Sequence, residues 1–302
     1  MDSQTVVGIS LNQLTKFYGK QRGVENITFD VQPGEVMGFL GPNGSGKTTV
    51  MRMLMGLLHI TSGRASILGQ DVSVAHPEVR ASVGYLPGTL GLHKNQTVQQ
   101  YLTYMADMRH IDCSKNISVL CERLSINPER DISSLSKGTK QKVGVIQAFM
   151  HEPRVLILDE PTSGLDPIVQ REFETILEEA RENGASILLS SHVMHEVEVL
   201  ASRIAIINEG HLLVVDDVET LKAQTLRILI LEFPHQVDPF IFTSIKEVRS
   251  AVAHENSVQC EVLGAETDLL RLAVDHGVLS VQSHDPTLED IFITTTEVNR
   301  VS

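Results

Sequence analysis

The stretch Gly41-Pro42-Asn43-Gly44-Ser45-Gly46-Lys47-Thr48 puts a lysine and a hydroxyl directly after a glycine-rich turn. Its spacing is G-x-x-x-x-G-K-[ST]. Glycines admit backbone conformations that side chains block, so successive N–H groups can converge on phosphate oxygens. A helix opening at Lys47 would turn its positive end towards the same anion. Lys47 would then reach the β- and γ-phosphates of a nucleotide, with the Thr48 hydroxyl on Mg²⁺ and Thr49 in the same first turn.

A second constellation lies at Val155-Leu156-Ile157-Leu158-Asp159-Glu160. A strand buried on both faces reads as a continuous apolar run. Carboxylates at the C-terminal end of such a strand stand at the crevice where open α/β sheets bind ligands. Asp159 would hold Mg²⁺, directly or through water. Glu160 would act as general base for an attacking water, or orient it. Alone, the pair is equally a solvated strand end. The phosphate loop upstream gives it a reaction to serve.

The elements that must position these groups follow from periodicity. Val6–Leu11, Val24–Val31 and Glu35–Leu40 read as strands, and Lys47–Leu58 reads as a helix with Met51, Leu54, Met55 and Leu58 on one face. Residues 97–150 read as largely helical, with breaks at Asn127-Pro128 and Ser133–Ser136. Strand, helix, strand, helix, strand then follow at Arg154–Leu158, Ile168–Arg181, Ala185–Ser190, His195–Ala201 and Arg203–Ile207. Such alternation predicts a mostly parallel sheet flanked by helices. The tail has its own rhythm: strand Leu226–Phe233, a short helix at Pro239–Ser244, one or two strands over Val248–Val262, helix Thr267–His276 and strand Val278–Gln282. That βαββαβ order fits a small ferredoxin-like sandwich.

Four further segments make the chain resemble the nucleotide-binding subunit of an ATP-binding-cassette (ABC) transporter. Leu135-Ser136-Lys137-Gly138-Thr139-Lys140-Gln141 resembles the family signature LSGGQ-x-Q. Pro161-Thr162-Ser163-Gly164-Leu165-Asp166 resembles the D-loop. Ser190-Ser191-His192 resembles the segment carrying the switch histidine. Tyr18, in Lys16-Phe17-Tyr18-Gly19, stands where the family has an aromatic that stacks on adenine. The resemblance covers about residues 6–222. It implies an α/β fold: a P-loop NTPase cassette of mixed, mostly parallel sheet with an antiparallel β-subdomain and a helical subdomain. A small α+β C-terminal domain would follow. The expected boundaries are 1–222 for the cassette, with a helical insert at about 88–150, and 223–302 for the accessory domain.

The resemblance also implies a mechanism and partners. ATP would lie on Gly41 to Thr49, with Tyr18 on the base and Mg²⁺ on Thr48 and Asp159. A second cassette, expected to be an identical chain in the family's head-to-tail arrangement, would cover the γ-phosphate. Ser136 and Gly138 would reach that phosphate across the dimer, and Asp166 would lie on the same nucleotide interface. Glu160 and His192 would do the chemistry, His192 orienting the attacking water. ATP would hold two subunits together, and hydrolysis would release them to drive a separate integral-membrane permease. The expected place is cytoplasmic, peripheral on the inner face of the cell membrane. Without these motifs, His192 reads as a helix cap, Tyr18 as packing, and Lys137, Lys140 and Lys142 as a solvated face.

Two departures stand out. Lys137 and Thr139 replace a Gly and the Gln of LSGGQ. Gly88, in Val83-Gly84-Tyr85-Leu86-Pro87-Gly88, stands where the family usually has a Gln that contacts Mg²⁺ or water. YLPG, LSKG-x-x-QK and Thr287-Leu288-Glu289-Asp290-Ile291-Phe292 together resemble the ABC-2-type exporters, among them drug- and antibiotic-export ATPases. Two other classes compete: an ABC-type ATPase acting on ribosomes or DNA, and a nucleotide-gated binding module with weak turnover. Leu135 follows Lys47 too closely for an intervening coiled coil, which counts against the chromosome-type members.

Composition narrows the field. The chain has 302 residues, 25 Lys and Arg, 38 Asp and Glu, and a net charge of −13. That balance argues against a nonspecific nucleic-acid binder, which would carry a basic stripe. Residues 226–302 hold 5 basic and 12 acidic residues, so half of the excess lies in the tail. No stretch approaches the roughly 18 apolar residues of a membrane helix. The first residues lack the basic and apolar regions of a signal peptide. Cys113, Cys121 and Cys260 are odd in number and read as reduced thiols.

Overall fold

The computed structural model describes residues 6–74 and 77–293. The chain divides into two compact units, one ending at Val215 and one beginning at Asp216.

The first unit is built on a ten-stranded sheet. In chain order its strands are β1 (Ile9–Tyr18), β2 (Gln21–Val31), β3 (Val36–Leu40), β4 (Ser62–Ile67), β5 (Gln70–Asp71), β6 (Val83–Leu86), β7 (Val155–Asp159), β8 (Ser186–Ser191), β9 (Arg203–Asn208) and β10 (His211–Asp217). They lie in the order β5-β4-β1-β2-β10-β9-β3-β8-β7-β6. β9, β3, β8, β7 and β6 form the parallel half. β1 pairs antiparallel with β2 and β4. β3, β7 and β8 are buried at every position, the signature of a sheet covered on both faces.

Register creates the crevice. Leu40 stands opposite Ser191, and Asp159 opposite Ser190. The C-terminal ends of three parallel strands therefore lie side by side, so the loops leaving them meet. These are the phosphate loop, the carboxylate pair and the histidine segment. The helices of this unit are α1 (Lys47–Leu54), α2 (Pro77–Ala81), α3 (Val98–Asp107), α4 (Ser114–Arg123), α5 (Lys137–Phe149), α6 (Pro167–Glu182) and α7 (Met194–Leu200). α6 buries Val169, Phe173, Ile176 and Leu177 along one stripe. It opens with Asp166 as N-cap and Pro at the first turn.

Several boundaries differ from those that periodicity predicts. α1 stops at Leu54, not Leu58. Gly56, at φ 66°, allows a Schellman ending: Leu57 N donates to Arg52 O and Gly56 N to Met53 O. β1 runs to Tyr18, well past Leu11. Register shifts and Gln13 at φ 50° break the two-residue alternation there. β4, β5, β6 and β10 have no counterpart in the periodicity reading. They are short, flat in pattern, or, for β10, enter through the turn Glu209-Gly210 with both φ positive. The segment 97–150 resolves into α3, α4 and α5, with one 3₁₀ turn at Ile132–Ser134.

The second unit holds α8 (Val218–Ala223), β11 (Arg227–Glu232), a 3₁₀ helix at Pro239–Ser244, β12 (Val248–His254), β13 (Ser257–Val262), α9 (Thr267–Asp275) and β14 (Ser280–His284). Its sheet is antiparallel, in the order β12-β13-β11-β14. The core is Leu229, Leu231, Phe233, Phe242, Val258, Cys260, Val262, Leu269 and Ala273. Gly277, at φ 75°, ends α9 and delays β14 to Ser280. The three cysteines are buried and unpaired. Among the described residues no helix is long and apolar enough to cross a membrane.

Candidate functional site

A cleft of about 340 Å³ is lined by Tyr18, Gln21, Arg22, Gly23, the loop from Asn43 through Thr49, Asp159 and Glu160. Gly41 and Pro42 begin that loop straight after β3. Gly46 is the N-cap of α1 at φ 115°, a region that favours glycine. A Cβ there would lie 2.3 Å from Val24 Cγ1. With no side chain capping it, the first turn of α1 keeps its N–H groups for an anion.

Lys47 is buried. Its Nζ donates to Gly41 O at 2.5 Å and Pro42 O at 3.2 Å, folding the ammonium back along the loop. Burial pulls its pKa below the ordinary lysine value, against the opposing pull of Glu160 and Asp159. A buried cation held by carbonyls and facing two carboxylates gains from an arriving polyphosphate. The Ser45 hydroxyl is also buried without a hydrogen-bond partner in this loop.

The Thr48 hydroxyl donates to Asp159 Oδ2 at 2.8 Å, and the Ser190 hydroxyl donates to Asp159 Oδ1 at 2.7 Å. Both carboxylate oxygens are thus fixed, one by the phosphate-loop helix and one by the neighbouring strand. Thr48 and Asp159 form a pair of hard oxygen donors, the chemistry that suits Mg²⁺. Gly88 lies against this pair: a Cβ on it would sit 3.1 Å from Asp159 Oδ2.

Glu160 leaves the strand with φ 54°, the left-handed region, which costs a residue other than glycine on the order of 1–3 kcal/mol. The turn frees its side chain from the sheet. Its Oε2 meets His192 Nδ1 at 2.6 Å. Glu160 N donates to Ser190 O at 3.1 Å. A carboxylate coupled to an imidazole beside an anion-binding helix end can take a proton from water and orient it.

Tyr18 is exposed at the end of β1 and borders the cleft. The Lys16 ammonium sits 5.3 Å from the centre of its ring, tethered to His59 O at 2.7 Å. The exposed ring gives a flat apolar surface next to the phosphate loop.

Ser136, Gly138 and Asp166 lie outside the lining of this cleft. Ser136 caps α5, accepting from Thr139 N at 3.2 Å. Asp166 caps α6, accepting from Ile168 N and Val169 N. Gly138 packs on the D-loop, where a Cβ would come within 2.4 Å of Gly164 O.

Sequence reasoning gave no role to Ser190, Gln141 or Glu196. The first fixes Asp159. Gln141 Nε2 donates to Glu160 O at 3.1 Å and Pro161 O at 3.0 Å. Glu196 accepts from Thr162 Oγ1 at 2.5 Å and Ser191 Oγ at 3.4 Å, tying the D-loop to the histidine segment. Two local signals point to Gln141: its place as the last Gln of the segment resembling LSGGQ-x-Q, and its polarity on the apolar face of α5.

Known proteins resemble this chain in sequence and fold. The model of a family described as "ABC transporter" matches residues 24–163. The bacitracin transport ATP-binding protein BcrA of Bacillus licheniformis is 32% identical over 293 residues, covering 94% of this chain and 96% of that protein. The linearmycin resistance ATP-binding protein LnrL of Bacillus subtilis (strain 168) is 28% identical, covering 95% of this chain and 98% of the relative. A solved structure titled as the ATP-binding subunit of an ABC transporter superposes with a TM-score of 0.69 at 28% identity. It spans 72% of this chain and 92% of its own.

Proposed function

The chain belongs to the ABC transporter family as an ATP-binding and ATP-hydrolysing subunit, and from that premise we propose how its residues do the work. ATP lies on Gly41 to Thr49, with its base on Tyr18 and its terminal phosphates at Lys47 and the open first turn of α1. Thr48 and Asp159 would hold Mg²⁺, which would supply charge neutralisation to the nucleotide's terminal phosphates. Glu160 accepts the proton of the attacking water. His192 holds Glu160 through Nδ1 and has its second ring nitrogen for the γ-phosphate.

A second copy of the chain, head to tail, completes the site. Ser136, Gly138 and Asp166 serve the partner's nucleotide, which agrees with their place outside the chain's own cleft. Ile168, beside Asp166, is 81% exposed, an apolar group suited to a protein interface. ATP-driven closure and opening of that dimer moves a separate membrane permease, against which the subunit sits peripherally at the inner face of the membrane. Antibiotic transport and resistance in the names of two relatives support an exporter of antimicrobial compounds. The tail's strand order, β12-β13-β11-β14, supports reading residues 223–302 as a ferredoxin-like accessory domain that steadies the dimer.

The observation that carries the catalytic reading is the His192–Glu160 contact at the end of the strand whose Asp159 holds Thr48. Phosphate release by purified protein tests it. Glu160→Gln removes the base while keeping the size of the side chain, and turnover falls at least ~100-fold. Equal rates for the two proteins would refute the reading.

A further inference from the structure

Glu160 needs a left-handed backbone to turn its carboxylate out of the sheet. Residues in such conformations persist only when their surroundings hold them. Hydrogen bonds surround this one: Glu160 O accepts from Ser163 N at 3.2 Å and Glu160 N donates to Ser190 Oγ at 3.3 Å, and further bonds lie on both sides. Glu160 N donates to Ser190 O on one side, while Gln141 Nε2 bridges the carbonyls of Glu160 and Pro161 on the other. Gln141 is buried, and it is the only side chain whose hydrogen bond to the Glu160 carbonyl is seen among the described residues.

Gln141 stands on α5, one turn past Ser136, the residue that caps this helix. The same helix touches the segment after Glu160 a second time, where Gly138 packs on Gly164 O. The first turn and a half of α5 therefore grips residues 160–164 at both ends. The helix start that would engage the partner's γ-phosphate is thus tied to the backbone that aims the chain's own base.

We propose that Gln141 is a positioning residue: its amide holds the Glu160 backbone in the turned conformation and transmits movement of α5 at one nucleotide to Glu160 at the other. This inference rests on the proposed role of Glu160. It concerns how that carboxylate is held, and it gives Gln141 no contact with nucleotide. A physical consequence follows: removing the amide donors should lower turnover without weakening ATP binding, because the phosphate loop is untouched. Cooperativity between the two sites should fall with it.

The test compares wild type, Glu160→Gln, Gln141→Leu, Gln141→Glu and Glu160→Gln/Gln141→Leu in full-length protein. Steady-state phosphate release, equilibrium binding of a fluorescent ATP analogue and thermal unfolding are measured together. Gln141→Leu keeps volume and loses both donors. Gln141→Glu keeps shape and sets a carboxylate against two carbonyls. Expected is a fall in kcat of roughly 10- to 100-fold in both, KM and analogue affinity within about twofold, and a Hill coefficient nearer one. In the Glu160→Gln background the Gln141→Leu change should add nothing. Turnover within twofold of wild type in folded Gln141→Leu would overturn the proposal, as would a loss of affinity matching the loss of turnover. If Gln141→Leu unfolds, Gln141→Glu decides alone by the same limits. Wild-type rates in Glu160→Gln would instead sink the catalytic reading itself, a separate outcome.

Discussion

In the proposed scheme the cleft around Lys47 and the surface around Ser136 carry the two halves of one chemistry, and the chain treats them differently. The first half is assembled internally. Thr48, Asp159 and Ser190 are hydrogen-bonded in series, Lys47 is buried, and Glu160 meets His192. In the second half, Ser136 and Asp166 are exposed and their side chains cap helices α5 and α6. Neither Ser136 nor Asp166 lines the chain's own nucleotide cleft. On the proposed reading, a chain built this way binds ATP alone but needs a second copy to finish the γ-phosphate site. The link between halves is mechanical, through Gln141 and Gly138 on one helix.

Three variants probe this asymmetry. The largest effect is expected at Lys47. Lys47→Ala removes the buried cation, so turnover should drop by on the order of a thousandfold and ATP affinity should fall with it. Phosphate release and analogue binding check this. A change confined to turnover would mean that Lys47 is not part of the internal half.

The second concerns the helical insert that carries the signature. His151 follows α5, and burial beside Arg109 pushes its pKa down to about 4 from 6.5. Above pH 6.5 the ring is neutral in both the folded and the unfolded chain. As pH falls towards 4, only the unfolded chain takes up the proton, so stability declines across that window and levels off below it. The loss is at most about 3 kcal/mol. Urea unfolding at several pH values should show this decline shrinking in His151→Gln. An unchanged pH slope would mean that His151 does not set the acid sensitivity of the insert.

The smallest effect is expected at Tyr18. Tyr18→Ala removes one stacking surface, worth about 1 kcal/mol, so analogue affinity should weaken about fivefold with kcat kept. Tyr18→Phe should bind as wild type. A loss of kcat would place Tyr18 in a different role.

Much of this was legible in the sequence where the signal is local. The phosphate loop needs only glycine positions, a lysine and a following helix. Asp159 and Glu160 were visible as acids ending an apolar run. The residues that fix them were not. Ser190 reaches Asp159 only because β7 and β8 pair in parallel with that register. Gln141 reaches Glu160 only because α5 packs beneath the D-loop. The signature pattern marks the position of Gln141, but neither contact can be read from spacing. The same holds for β1, whose bulges erase alternation although Leu11 and Leu14 are both buried. α1 was over-extended because apolar Met55 and Leu58 outweighed Gly56, the residue that ends the helix.

Each nucleotide site is shared in this scheme: one chain holds half of it, and the partner's Ser136 closes the other half. The mass in solution of Glu160→Gln, with and without ATP, tests this when set beside Glu160→Gln/Ser136→Asp. Aspartate still caps α5 but sets a negative charge where the partner's phosphate would arrive. Glu160→Gln is expected to double its mass from 33.3 kDa on adding ATP. The double variant is expected to bind ATP equally well and stay a monomer. An ATP-bound Glu160→Gln that remains monomeric, or a double variant that still dimerises, would contradict the shared site.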